Sequence, residues 1–352
     1  MRTAAWMGAL SLVFVLLAGG IKERAAAQVD LLDSNWTYCA PEGGYCSFSG
    51  QKEVRYGANG RYRDKVFSDG ANCTDGVFGD PISSAVKKCW YRDWTSSPVP
   101  CDSARGSCAR PQKLSKWDWQ LSRPLDLSAA GTIKWYDLDW EDTNASTVQA
   151  IHAKGAKVAC YISVGTWENY RGDRNVFPNF VKGKVYDEWP DERWLDVRRT
   201  DVLVPIMEAR MNVCKQKGFD GVQFDNVDGF ENNPLAKTGF PLQKKHYVKY
   251  VRWLANIAHG KGLSAAWENG APLVPDLVAY TDWLILEECN QFDECGVATY
   301  FTDMDKFVGV VEYSDSITLT TFKTYCNDNT ALGISSIFKK RSLNGTLLWS
   351  CQ

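Results

Sequence analysis

Apolar and polar positions alternate in two rhythms along this chain, and the change between them marks out its elements. From Trp117 onward, short apolar runs of strand character recur: Trp117–Leu121, Ile133–Leu138, Lys157–Val164, Asp220–Asp225, Leu263–Trp267, Trp283–Glu287, Phe307–Glu312 and Leu332–Phe338. Between them the apolar spacing turns helical. Val204, Met207, Met211 and Cys214 share one face of a predicted helix within 201–217, and Tyr247, Tyr250, Val251, Leu254, Ile257 and Ala258 mark another that stops at Gly260. Gly155, Gly218 and Gly262 each stand just before a strand, where a helix end favours glycine. Eight such units in roughly 235 residues predict an α/β chain folded as a (β/α)8 TIM barrel over 114–352. A doubly wound open sheet fits less well, because no Gly-x-Gly-x-x-Gly turn follows any strand.

Ahead of the barrel the rhythm shortens. Residues 34–92 are rich in Gly, Tyr, Phe and Cys, with turn signals at Gly43-Gly44, Asn59-Gly60 and Asp69-Gly70, which predicts a small disulfide-stapled β module. Its wording, Glu42-Gly43-Gly44-Tyr45-Cys46-Ser47-Phe48-Ser49-Gly50 and later Phe78-Gly79-Asp80-Pro81, resembles an accessory module found beside secreted enzyme domains. Trp36, Tyr45, Tyr56, Tyr62, Trp90 and Tyr91 could stack on sugars or simply fill a small core. Residues 93–113 shift to Ser, Pro and Arg and are expected to be a linker closed by a Cys101–Cys108 loop.

Residues 1–27 form a predicted secretory signal: Arg2, an apolar run from Ala9 to Ala18, then Ala25-Ala26-Ala27. That run is too short to span a membrane, and no later segment is long enough. The formal net charge is −2; residues 1–27 contribute +2 (Arg2, Lys22 and Arg24 against Glu23), leaving −4. A mildly acidic surface argues against nucleic acid as a partner. The 12 cysteines divide evenly about residue 113, so each part is expected to close its own bridges. Sequons start at Asn35, Asn72, Asn144 and Asn344. No metal or cofactor is expected, since Cys-x-x-Cys is absent and His152, His246 and His259 lack ligand spacing.

A barrel of this kind builds its site from the carboxyl ends of its strands. Those ends carry Asp137, Asp139 and Trp140; Tyr161 to Gly165, then Glu168 and Arg171; Asp225, Asn226 and Asp228; Glu268-Asn269; Glu287-Glu288; and Glu312-Tyr313. Several carboxylates among Trp and Tyr suit glycoside hydrolysis, where one acid protonates the leaving oxygen and another attacks or activates water. Taken alone, Asp225 reads equally well as a helix cap. Serine chemistry lacks its Gly-x-Ser-x-Gly elbow.

With these residues in view, most of Trp117 to about Tyr313 resembles the endo-α-1,4-polygalactosaminidase family of glycoside hydrolases. The likeness rests on Trp117-Asp118-Trp119-Gln120-Leu121, Tyr136-Asp137-Leu138-Asp139, Cys160 to Gly165 with Arg171, Trp194 to Arg198, Gly218 to Gly229, and Glu287-Glu288-Cys289 with Cys295. It implies a TIM barrel acting on galactosamine-containing polysaccharide, with Asp225 and Glu287 as catalytic pair. Strand alternation admits only one of Glu287 and Glu288 to the interior. Asp225 is expected as nucleophile and Glu287 as acid/base. Asp137, Asp139, Tyr161, Arg171 and Asn269 are candidates for sugar contacts or, equally, for structural hydrogen bonds, and Gln223, Asn226 and Glu312 are expected among the sugar-binding residues. Two departures stand out. Relatives commonly show Glu where this chain has Gln223, and often Lys-Asn where it has Glu268-Asn269. The protein is expected to be a secreted monomer; the rival reading is a sugar-binding barrel without turnover.

Overall fold

The computed structural model describes residues 36–59, 61–93 and 97–352. The predicted signal segment and the Asn35 sequon lie outside the described residues. The first sheet is four-stranded and antiparallel, in the order Thr37–Pro41, Lys88–Asp93, Gln51–Ala58, Arg61–Ser68. Its register pairs Ala58 with Arg61, so the hairpin turns in two residues, with Asn59 at φ 51°. Disulfides Cys39–Cys46 and Cys73–Cys89 staple it. Tyr56 does not offer its ring to solvent: it is fully buried, stacked on Phe78, with its hydroxyl donating to Glu42 and Asp75. Tyr45, by contrast, is 56% exposed. Cys101–Cys108 closes the predicted loop, and Trp253 Nε1 donates to Gln51 Oε1 at 2.7 Å, joining the sheet to a barrel helix.

The eight barrel strands follow in sequence order: β1 (Trp117–Gln120), β2 (Trp135–Asp139), β3 (Lys157–Ser163), β4 (Gly221–Asp225), β5 (Ser264–Glu268), β6 (Trp283–Glu287), β7 (Phe307–Tyr313) and β8 (Ser335–Lys339). Each pairs parallel with the next. At the seam between β1 and β8 side chains make the joint: Trp117 Nε1 donates to Ser335 O at 2.9 Å, and Lys339 reaches Asp118 at 2.6 Å. Trp117, Trp119, Trp135, Trp283 and Phe307 fill the interior. Gly309 is required there, since a Cβ would stand 2.6 Å from the Trp117 ring.

The outer strand faces carry Val158, Cys160, Val222, Phe224, Leu284 and Val308 against the helices. All the helical positions predicted for 201–217 and 244–260 are buried, and Cys160–Cys214 ties β3 to the first of those helices. Gly155, Gly218 and Gly262 have φ of 78°, 92° and 73°, as helix ends before strands require. The last strand starts later than its apolar run, because Leu332 still caps the helix Leu319–Ala331 and Gly333 (φ 80°) turns the chain. One feature had no counterpart in the apolar pattern. After β3 the chain leaves the barrel into a three-stranded antiparallel sheet ordered Thr166–Glu168, Trp189–Leu195, Lys182–Tyr186. Its central strand holds Pro190, Asp191, Glu192 and Arg193, which hide its strand character. Among the described residues no helix is long and apolar enough to cross a membrane.

Candidate active site

Asp225 closes β4, where alternation turns Gly221, Gln223 and Asp225 inward. Its carboxyl is held from two sides. The Tyr161 hydroxyl on β3 donates to Oδ2, and Asn226 donates its backbone N–H to Oδ1 and its side-chain amide to Oδ2, the latter at 2.9 Å. Asn226 adopts φ 61°, which folds its amide back toward Asp225 and Ser163. That turn packs so closely on β3 that a Cβ at Gly165 would stand 1.6 Å from Asn226 O. Burial pushes Asp225 up to about 8; the Tyr161 bond opposes this, and the Glu287 and Glu192 carboxyls add to it.

Glu287 ends β6 and faces the same mouth. The Tyr313 hydroxyl donates to its Oε1, and Asn269 donates to its Oε2 at 2.8 Å while accepting the Glu287 backbone N–H at 2.9 Å. Glu288 turns away at φ 53° into a bidentate pair with Arg341 and a bond from Ser316. Asp225 and Glu287 are thus each gripped by one tyrosine hydroxyl and one asparagine amide.

Two further acids lie deeper. Glu268, at the end of β5, accepts the Gln223 side-chain amide at 2.7 Å. Burial, then Asp225 and Glu287, raise it well above the usual carboxylate range. Asp137 is 0% exposed with neither oxygen bonded; burial, then Asp225 and Asp139, raise it likewise. No ion pair holds Asp137, Asp225, Glu268 or Glu287 among the described residues.

Three candidates stand elsewhere. Arg171 forks onto Asp139 at 2.8 and 2.6 Å and donates to Glu168 at 2.8 Å, a buried network that continues to Arg210 and Asp173. Asp139 and Arg171 therefore satisfy each other and brace the loop after β2. Glu312 is a correction. It lies on the opposite face of β7 from Tyr313, fully buried, accepting bonds from Asn290 and Gln291 that fix the loop after β6. Tyr313, not its neighbour, enters the mouth.

Sequence reasoning left out Glu192. It comes from the antiparallel excursion, accepts the Thr166 hydroxyl, and is raised to about 7, chiefly by burial. No strand-end pattern could have flagged it, because it belongs to no barrel strand. Tyr186 comes from the same excursion, packed on Trp194 with ring centroids 4.6 Å apart. Among the described residues no cluster of His, Cys, Asp and Glu has the arrangement of a metal centre.

An eight-stranded barrel with paired acids at its mouth is shared by many sugar-cleaving enzymes, and comparison narrows the choice. The model of glycoside-hydrolase family GH114 matches residues 99–352. The chain belongs to that family. Aspergillus fumigatus Ega3, solved in complex with galactosamine, is similar to this GH114 chain at 28% identity and a TM-score of 0.65, covering 73% of this chain and 100% of its own. The glycoside hydrolase domain of PelA from Pseudomonas aeruginosa shares the fold at 14% identity and a TM-score of 0.54, covering 67% of this chain and 98% of its own. No curated protein matches the chain. GH114 membership bears out the resemblance read from the sequence and makes the protein a glycoside hydrolase on a TIM barrel.

Proposed function

We propose that this protein is a secreted, monomeric hydrolase that cuts internal α-1,4 linkages of a galactosamine-containing polysaccharide by a retaining mechanism. Asp225 attacks the anomeric carbon while Glu287 gives its proton to the departing glycosidic oxygen, leaving a glycosyl ester on Asp225 and a carboxylate at Glu287. Glu287 then takes a proton from water, whose oxygen displaces Asp225. The carrying observation is that Asp225 and Glu287 occupy one mouth, within each other's field, each oriented by a tyrosine and an asparagine.

The charge pattern supports an amino sugar. Carboxyls without cations suit an ammonium group. A cation beside Asp225 would also draw it to the carboxylate form that attack requires. Tyr186 and Trp189, the latter 49% exposed, would extend the mouth for a polymer lying across it. Residues 34–92 would serve as accessory module and 93–113 as linker. Six disulfides support export to an oxidising compartment.

The test is reducing-end release from galactosamine polymers, fully acetylated and deacetylated. New reducing ends from internal cuts of the deacetylated polymer are expected. Polymer binding without release would instead establish a sugar-binding barrel.

A further inference from the structure

Four side chains link the antiparallel excursion after β3 to the carboxyl of Asp225. Thr166, on the first strand of the excursion, donates its hydroxyl to Glu192 Oε2 on the central strand. Thr166 and Ser163, the last residue of β3, share a hydroxyl–hydroxyl bond at 2.5 Å. The Asn226 amide nitrogen lies 3.0 Å from Ser163 Oγ, 3.4 Å from Thr166 Oγ1 and 2.9 Å from Asp225 Oδ2. Ser163 and Thr166 are fully buried, and Glu192 and Asn226 nearly so. Counting protons gives this chain a direction, since each hydroxyl has one to donate. The Thr166 proton goes to Glu192, so Thr166 must accept from Ser163. The Ser163 proton is then committed, so Ser163 must accept from Asn226. Asn226 therefore presents the NH2 end of its amide, and one of its two N–H groups reaches Asp225. Reversed, the chain would turn the amide oxygen onto the Asp225 carboxyl, acceptor against acceptor.

We propose that Glu192 is a positioning residue for Asp225: as the terminal acceptor it fixes the direction of the chain, which holds the Asn226 N–H on the nucleophile. This rests on reading Asp225 as the nucleophile. Glu192 needs no contact with the sugar for this role; it acts through Thr166, Ser163 and Asn226 in turn. An amide N–H on Oδ2 favours the carboxylate, the form that attacks. Losing that N–H raises the pH at which Asp225 ionises. Losing the Glu192 charge alone acts the other way, because that carboxyl pushes Asp225 up. The two influences of Glu192 on Asp225 thus have opposite signs.

Four variants of the full chain separate them. Thr166→Val removes the hydroxyl and leaves Glu192 able to ionise, whereas Thr166→Ser keeps the hydroxyl. Glu192→Met and Glu192→Gln both remove the charge, but only Gln keeps an oxygen for Thr166 to donate to. Asp225 is followed by carboxyl NMR with 13C-labelled aspartate, and kcat and KM are measured on deacetylated galactosamine polymer. T166V should raise the Asp225 midpoint by about one pH unit and lower kcat/KM at pH 6 by about tenfold, with KM within about twofold. T166S should restore both. E192M should titrate about one unit above E192Q, and that gap should vanish when T166V is added to each. A T166V midpoint at or below the wild-type value overturns the proposal, and so does a gap that survives T166V. A raised KM in E192M with T166V unaffected would make Glu192 a sugar contact instead and overturns it too. Variants that fail to fold do not protect the idea. In the wild type the side-chain N–H groups of Asn226 should exchange with water far more slowly than those of an exposed asparagine, and exchange at the exposed rate sinks it. Moved midpoints with no polymer cleavage support the chain and overturn the nucleophile reading.

Discussion

Gln223 on β4 donates its side-chain amide to Glu268 on β5 at 2.7 Å, and both side chains are buried. These are the two positions at which the chain departs from the pattern its resemblance implies, Glu at the first and often Lys at the second. Along the sequence they lie 45 residues apart and read as separate changes of charge. In the barrel they are one exchange, a hydrogen-bonded Gln–Glu pair standing where a Glu–Lys ion pair would fit. Either pairing leaves both side chains partnered, whereas changing one member alone strands the other.

Gln223→Glu by itself should therefore be tolerated at pH 5, where the added carboxyl can carry a proton. At pH 8 it should cost about 3 kcal/mol, since two buried carboxyls then face each other without a cation. Adding Glu268→Lys should restore stability at pH 8. Thermal melts of the single and double variants at both pH values decide this; a double variant no more stable than Q223E refutes the coupling.

Asp225→Asn and Glu287→Gln should each lower polymer cleavage by about 10³-fold with melting temperature retained, in the range expected for loss of a catalytic acid or base. Glu288→Gln should stay within about twofold of wild type, because that carboxyl serves Arg341 outside the mouth. Equal losses at 287 and 288 would contradict the placement.

Tyr161→Phe removes the bond that favours the Asp225 carboxylate, so Asp225 should rise further above about 8. Less of it is ionised at any given pH, and the acid limb of kcat/KM should move up by about one pH unit. The variant should lose about fivefold more activity at pH 6 than at pH 9. A uniform loss across pH would show that Tyr161 acts through contact with substrate alone.

Asp137 supplies a stability test independent of turnover. Its folded pKa is raised, by burial first, so its contribution is complete below the unfolded carboxyl's value near ~4 and is lost as pH rises toward the folded value. Asp137→Asn cannot ionise in either state. It should match wild type closely at pH 4 and gain on it by about 1.4 kcal/mol per pH unit above that. Denaturant melts across pH 4–8 measure the slope; parallel curves would mean that Asp137 is ordinary.

Much of this molecule is legible in one dimension. Eight apolar runs, helical faces between them and glycines at the helix ends specify the barrel, because strand and helix periods follow from local backbone geometry. The even division of the cysteines matched the bridges, three on each side of residue 113. Strand-end acids pointed to the mouth and named Asp225, Glu287, Tyr161, Asn226 and Asn269, which the fold brings together. Phase was harder. Val308 and Val310 face the helices while Gly309 and Val311 face the interior, and all four are apolar or small. A barrel strand is buried on both faces, so hydrophobicity does not reveal which set looks inward. That is why Glu312 stood as a candidate in place of Tyr313.

The sequence by itself determined the eight barrel strands and the acids at their carboxyl ends, since each follows from spacing within a few residues. The tertiary structure alone decided which acids have partners. It set Asp139 and Arg171 into a buried ion network, brought Glu192 in from an excursion outside the barrel, and put Gln223 against Glu268. The charge state of a carboxyl depends on what lies across from it in space, and barrel closure brings those neighbours from strands and loops far apart in the chain.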